Sequence, residues 1–241
     1  MKKVWSISTA VRNPDRLRNF LKTLKEIEGK EWDKNTQKEF QARLIKNRFY
    51  GFGSSQFYSE LPKKYINMIN DLSHNITSEE AYEIIEIKQY VDIDMRGRQS
   101  YKPLEKLGFA TIKEKRVFIT SLGEYFLSDD YDLGELFFKS FLKWQYPNPI
   151  DRDFNDKNIY NITPFLATLH LIDRVNKLCK SQGLKEKGIS KIEFMIFGQS
   201  LLNYKDIDNY AKEILKFRKE FEAKKDFKDK KLYQENILKS F

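Results

Sequence analysis

The chain has 241 residues, of which 44 are Lys or Arg and 35 are Asp or Glu, for a formal charge of +9. With 40% apolar and 33% charged residues, it is too apolar for a disordered chain and too charged for a membrane protein. No apolar run approaches the roughly 20 residues of a bilayer span, and one cysteine with two histidines leaves no disulfide framework and too few ligands for a Cys/His zinc site. The opening Met1-Lys2-Lys3-Val4-Trp5-Ser6 has no signal-peptide pattern, so a soluble, cytoplasmic protein of one or two small domains is expected.

Asn13 caps a first helix and Pro14 occupies its first turn. Leu17, Phe20, Leu21, Leu24 and Ile27 repeat at helical spacing, and Gly29 ends the run. Asp33 caps a second helix whose apolar stripe is Phe40, Leu44, Ile45 and Phe49. The Gly/Ser-rich stretch from Tyr50 to Ser55 reads as a loop, and Pro62 opens a further helix to about residue 72. Ser78 is expected to cap a helix through about Tyr90. A connection from Val91 to Arg96 then leads to Gly97 and a short helix from Gln99 to Leu107, closed by Gly108. Phe109–Ile112 and Arg116–Thr120 alternate around the charged turn Lys113-Glu114-Lys115, a β-hairpin pattern. A helix follows through Tyr125, Phe126 and Leu127, and another covers 133–144.

Tyr146-Pro147-Asn148-Pro149 breaks that helix, and the polar stretch 148–161 sets a domain boundary between 1–147 and 148–241. Thr163-Pro164 begins an apolar helix through Leu178. Ser190 caps a helix over Ile192 to Phe197, and a long helix spans 206–225. The fold class expected is mainly α with a small β-hairpin wing at about 109–120, built as tandem winged-helix or helix-turn-helix-like subdomains, the second without a clear wing. In a winged helix the second helix of the pair enters the major groove and the hairpin lies along the backbone.

Charge is uneven. Residues 1–50 hold 13 basic and 6 acidic side chains, residues 212–231 hold 9 and 5, and residues 51–211 hold 21 and 23. Basic ends around a near-neutral middle suit a polyanion. A catalytic site does not emerge. Glu86-Ile87-Lys88 with Asp71 upstream imitates a metal-nuclease Asp…Glu-x-Lys pattern, but it lies on a helix, where i and i+2 diverge. Asp92 and Asp94 lack a lysine at useful spacing. Gly51 and Gly53 are not followed by the Gly-Lys-Ser/Thr of a phosphate loop, and Cys179 reads as a packed residue.

Several blocks taken together resemble the AlwI family of type IIS restriction endonucleases. These are Trp5-Ser6-Ile7-Ser8-Thr9 with Arg12-Asn13-Pro14; Glu28-Gly29-x-x-Trp32; Arg96-Gly97-Arg98-Gln99-Ser100; Pro103-Leu104-x-Lys106-Leu107-Gly108-Phe109; Lys143-Trp144-Gln145-Tyr146-Pro147; and Ala211-Lys212-Glu213-Ile214-Leu215-x-Phe217-Arg218. The resemblance, which includes related strand-nicking enzymes, implies recognition of a short asymmetric duplex site by winged-helix-like N-terminal subdomains. It also implies cutting a few bases away by a separate Mg²⁺-dependent nuclease domain. On that reading the chain is the recognition part, a monomer with no catalytic residue, metal ligand or cofactor of its own. The nuclease domain is then absent, with the chain ending in a basic helical run without a stop signal.

Base readout is assigned to Arg96, Arg98, Gln99 and Lys102, since Arg matches guanine O6/N7 and Gln matches adenine N6/N7. Phosphate contact is assigned to Lys113, Lys115 and Arg116 in the wing, and to Arg12, Arg16, Arg43 and Arg48 near the N-terminus. Trp5, Trp32 and Trp144 read as core anchors. The competing reading is a complete winged-helix transcriptional regulator that binds DNA as a dimer on a palindrome. A protein-interaction scaffold would leave the charged ends unexplained.

Overall fold

A computed structural model of the chain describes residues 5, 7, 13–51, 55–88, 93–150, 154 and 162–240. It is mainly helical with one two-stranded antiparallel sheet, and it divides into two compact units. No helix among the described residues is long and apolar enough to cross a membrane.

The N-terminal unit ends at Phe137. Its helices are α1 (Pro14–Lys25), α2 (Lys34–Lys46), α3 (Ser55–Ser59), α4 (Lys63–Asn70), α5 (Ser78–Ile87), α6 (Ile93–Lys106) and α7 (Ser121–Leu127), with strands β1 (Ala110–Lys113) and β2 (Arg116–Ile119) between the last two. Caps set the starts as expected. The Asn13 side chain accepts from Asp15 N at 2.9 Å and that of Asp33 from Thr36 N at 2.8 Å. The α5 cap is Thr77 rather than Ser78, because Thr77 and Glu80 form a reciprocal capping box. Leu17, Phe20, Leu21 and Leu24 of α1 are buried. Phe109, Phe126 and Phe137 make a second cluster, with ring centroids 4.8–5.7 Å apart. Ile45, Phe57, Ile69, Ile84 and Ile85 belong to a third.

The main departure concerns α6. The chain around Gly97 is not a connection; helix runs from Ile93 through Lys106, with Arg96, Gly97 and Arg98 inside it. Gly97 permits a helix crossing. A Cβ at Gly97 would lie 2.1 Å from the Gln37 carbonyl oxygen of α2, so only glycine allows this approach. Tertiary packing thus overrides propensity. Pro103 is also inside the helix and buried. The helix on which α6 packs most heavily is α2, not the preceding α5.

The hairpin has the expected strands. Ala110 faces Ile119, Thr111 faces Phe118, Ile112 faces Val117 and Lys113 faces Arg116. Its turn is the two-residue pair Glu114-Lys115, both at positive φ (47° and 61°). A further segment lies alongside β2: Gly29 N donates to Val117 O (2.8 Å), Val117 N to Lys30 O (3.1 Å) and Trp32 N to Lys115 O (2.7 Å). The open edge of β2 is therefore paired. Nothing in the composition of Gly29–Trp32 signals a strand.

Helix α8 (Leu133–Lys143) begins in the N-terminal unit and ends in the other. The expected boundary was 147/148; the compact units divide instead between Phe137 and Phe138. The aromatic packing of Phe138 and Phe141 on Phe165, and of Trp144 on Trp5, places the end of α8 with the C-terminal unit. That unit contains α9 (Pro164–Ser181), α10 (Lys191–Glu193) continuing into a π-helical turn at Phe194–Gly198, a 3₁₀ turn at Tyr204–Asp206, α11 (Ile207–Glu222) and α12 (Phe227–Ser240). Leu171, Val175, Cys179, Phe197, Ile214 and Phe217 form its core, which agrees with Cys179 as a packed residue. Trp5 also anchors here, its indole N–H donating to Gly198 O at 3.0 Å.

One ion pair is buried in this core. The Arg218 guanidinium donates to Glu193 Oε1 at 2.7 Å and Oε2 at 2.9 Å, and to Gly188 O; the Glu193 side chain is 5% exposed. Burial by itself would raise the Glu193 carboxyl, but the bonds from Arg218 and Ser190 N outweigh it and hold the carboxyl below its ordinary 4.5. A carboxyl lowered on folding contributes stability that is present above about pH 4.5 and lost as pH falls through its folded value. Urea midpoints measured from about pH 6 down to about pH 3 should therefore drop more steeply in the parent than in a Glu193→Met/Arg218→Met double variant. Parallel curves would contradict this role.

Candidate nucleic-acid interface

The close seating of α6 on α2 determines which α6 side chains face outward. Gly97, Ser100, Tyr101 and Leu104 are buried against the unit, with Ser100 Oγ donating to Gln41 Oε1 at 3.1 Å. Met95, Gln99, Lys102 and Lys106 are all half-exposed and recur at i, i+4, i+7 and i+11, so they form one stripe on the opposite face. Two of the four expected readout residues, Gln99 and Lys102, lie at its centre. Arg98 lies on its flank, with Nη1 donating to Asp94 Oδ2 (2.6 Å) and Gln37 Oε1 (3.1 Å). Gln37 is itself fixed by its donation to Trp32 O. Arg96 approaches Gln99 Oε1 at 3.5 Å, and Lys102 pairs with Glu105 at 2.7 Å. Tyr101, beneath this face, has its phenol pushed far above the ordinary range by burial and by Glu105.

Lys106 completes the stripe and is absent from the sequence-derived set. Its spacing of i+4 from Lys102 within the expected helix is the signal that places it there.

The hairpin brings Lys113, Lys115 and Arg116 to one exposed tip. Arg116 Nη1 donates to Gly29 O at 2.8 Å, which fixes its direction. Lys113 and Arg116 are direct cross-strand partners, an arrangement of like charges that destabilises a hairpin. The turn itself places two non-glycine residues in the left-handed region, where Asn-Gly is ordinarily used. Neither choice helps folding. The cross-strand pair places positive charge at the tip, where Glu114 and Lys115 of the turn offset one another.

The N-terminal arginines are placed differently. Arg12 lies outside the described residues. Arg16 is exposed, donates to Phe49 O at 3.0 Å and sits over the Phe20 ring. Arg43 is held by Glu39 (Nε, 2.9 Å) and Glu26 (Nη1, 2.6 Å). Burial would lower its guanidinium, but these two partners raise it overall. Arg48, at φ 55°, donates to the carbonyls of Met68, Ile69, Asp71 and His74. It ties the end of α2 to the end of α4 and the loop beyond.

The residues that imitate a nuclease pattern do not fit a magnesium ion. Lys88 is buried, with Nζ on Phe57 O and Glu60, whereas Glu86 is exposed. The Asp71 carboxylate receives Ser73 N and Oγ. Asp94 carries Arg98, and Asp92 lies outside the described residues. Among the described residues, no group of three or more His, Cys, Asp and Glu side chains could hold a metal ion.

A family model described as AlwI restriction endonuclease matches residues 105–240. That span covers the end of α6, the hairpin and α7–α12. No curated protein matches the chain.

The geometry separates fold-holding cations from exposed ones. Arg48→Met, which leaves four carbonyls without their donor, should lower unfolding stability by about 3 kcal/mol. Lys115→Met at the hairpin tip should change it by less than about 0.5 kcal/mol. Urea denaturation of both variants checks this; equal losses would contradict it.

Proposed function

The chain belongs to the AlwI restriction endonuclease family, and we propose that it performs the sequence-specific double-stranded DNA recognition of such an enzyme, one that cuts outside a short asymmetric site. Membership supports a type II restriction enzyme that acts on DNA. The finer reading rests above all on one observation: the hairpin tip carries a like-charged cross-strand pair, Lys113 and Arg116, beside Lys115, at a cost to its own folding. A polyanion lying along the tip would offset that cost.

The unit then acts as a winged helix. Helix α1, the Gly29–Trp32 segment bonded to β2, and α2 precede α6, with α3–α5 between α2 and α6, and α6 leads directly into the two-stranded wing. Helix α6 presents Gln99 and Lys102 to base edges in the major groove, with Arg96 and Arg98 on its flanks and Lys106 at its end. Asp94 and Gln37 hold Arg98 in one direction, so less rotamer freedom is lost when it meets a base. Lys113, Lys115 and Arg116 neutralise phosphates, with Arg16 and Arg12 as further phosphate contacts. Arg43 and Arg48 serve the fold. The Mg²⁺-dependent cleavage that the resemblance implies is assigned to none of the described residues. The chain binds as a monomer.

Selection of the chain against a randomised duplex pool should enrich one asymmetric sequence. Arg98→Ala or Gln99→Ala should relax preference at a single base position, worth roughly 1–3 kcal/mol. Lys115→Ala should weaken all sequences alike and reduce the salt slope by about 1. Absence of enrichment would overturn the recognition reading. Enrichment of a palindrome by a dimer would favour a transcriptional regulator.

A further inference from the structure

We propose that Gln37, a buried side chain of α2, is a positioning residue for base readout: it sets the direction of Arg98 and registers it against the hairpin through the main chain of Trp32. The proposal rests on the reading of the chain as a duplex-DNA binder. It places the control of one base preference in a residue that touches no base.

Gln37 is 6% exposed, and both ends of its amide are engaged. Nε2 donates to Trp32 O at 3.0 Å, and Oε1 accepts from Arg98 Nη1 at 3.1 Å. These partners leave the amide one orientation. Turned over, it would set Nε2 against a guanidinium that can only donate and Oε1 against a carbonyl that can only accept. The main chain of Gln37 meets α6 as well, since its carbonyl oxygen is the atom that a Cβ at Gly97 would strike. One residue of α2 therefore holds two successive residues of α6, Gly97 by its backbone and Arg98 by its side chain.

Trp32 carries this fixed point to the hairpin. Its N–H donates to Lys115 O at 2.7 Å, while its carbonyl receives Gln37. Its indole lies 4.8 Å from the Tyr101 ring of α6 and 6.0 Å from the Phe40 ring of α2, and both of those rings are buried. The link between hairpin turn and glutamine is thus packed against both helices.

Three considerations separate this role from that of a glutamine that only fills a helix contact. First, Asp94 alone does not fix Arg98. It lies four residues earlier on the same helix and accepts from the same Nη1 at 2.6 Å. Such i, i+4 pairs are weak and leave a long side chain its rotamers. A second acceptor, from a different helix, fixes the plane of the fork. Second, the acceptor of Gln37 faces a side chain that is 39% exposed, so its bond reaches from the interior to the outward side of α6. Third, guanine O6 and N7 accept a bidentate pair only from a guanidinium in the plane of the base. Direction is therefore a condition for discrimination, and setting it before binding lowers the entropy lost.

The test uses the full chain and four duplexes of its selected site that differ only at the base pair whose preference Arg98→Ala relaxes. Competition followed by fluorescence anisotropy gives the discrimination. Gln37→Met keeps the volume and removes the acceptor. It should lower discrimination at that pair about five- to tenfold, out of the roughly 5–150-fold that one bidentate pair supplies. Preference at the pair relaxed by Gln99→Ala should stay parental, and in the Arg98→Ala background Gln37→Met should add nothing. Gln37→Glu, which still offers Arg98 an acceptor, should recover discrimination relative to Gln37→Met. A further measurement needs no variant: in the free parent chain the Arg98 Nε–H should have a ¹⁵N order parameter above about 0.6, outside the flexible range. Parental discrimination in Gln37→Met, equal loss at both base pairs, or a flexible Arg98 Nε–H overturns the inference while leaving the recognition reading in place. A parent that selects no sequence overturns both.

Discussion

The contact between Gly97 and the Gln37 carbonyl is the constraint on which the N-terminal unit turns. Because no side chain can stand between them, α6 lies directly on α2, and the two helices share a polar seam. Ser100 meets Gln41, while Gln37 reaches both Trp32 and the Arg98 that Asp94 holds. That seating buries one side of α6 and leaves Met95, Gln99, Lys102 and Lys106 on the other. It also fixes where α6 ends. Gly108 follows with φ 81°, Phe109 enters the aromatic cluster and the hairpin starts at Ala110. The outward face of α6 and the basic tip therefore come from one packing decision rather than from two independent loops.

The cations fall into two physical groups, and the distinction matters more than their total. Arg18, Arg43, Arg48 and Arg218 direct their guanidinium groups at backbone carbonyls or at carboxylates. Planar, multidentate donors suit such work. Lys113, Lys115, Lys212, Lys216 and Lys219 are exposed, and several of them stand next to charges of their own sign. The formal +9 thus overstates what the N-terminal arginines offer a polyanion. A restriction endonuclease must find a short site among a vast excess of other sequences. In the proposed reading, exposed lysines on the hairpin would provide the salt-dependent, sequence-blind part of that affinity, and a few side chains on α6 the discrimination.

Much of the architecture was legible in the sequence because it is written in local signals. The caps at Asn13 and Asp33, the helical stripe of α1 and the period-2 alternation around Lys113-Glu114-Lys115 each act within a few residues, and each appears where expected. The extent of α6 was not legible. Gly97 and Pro103 carry breaker signals, while the force that overrides them comes from α2, some sixty positions earlier in the chain. For the same reason the pairing of Gly29–Trp32 along the edge of β2 was hidden, since its partner lies far along the chain. At the candidate interface, residue type could not separate Arg48, with its four carbonyl partners, from a surface arginine. The arginine-glycine block that resembles the family was noticed as a motif; its glycine proves to be a packing requirement between two helices.

In the proposed reading the outward face of α6 and the hairpin tip meet the duplex. Lysine acetylation of the chain, free and bound to its selected duplex, with residue-level mass spectrometry, tests it most directly. Lys102, Lys113 and Lys115 should lose reactivity in the complex, while Lys63 on α4, exposed in the same unit, should keep it. Unchanged reactivity at Lys102, Lys113 and Lys115 in a saturated complex would contradict the claim.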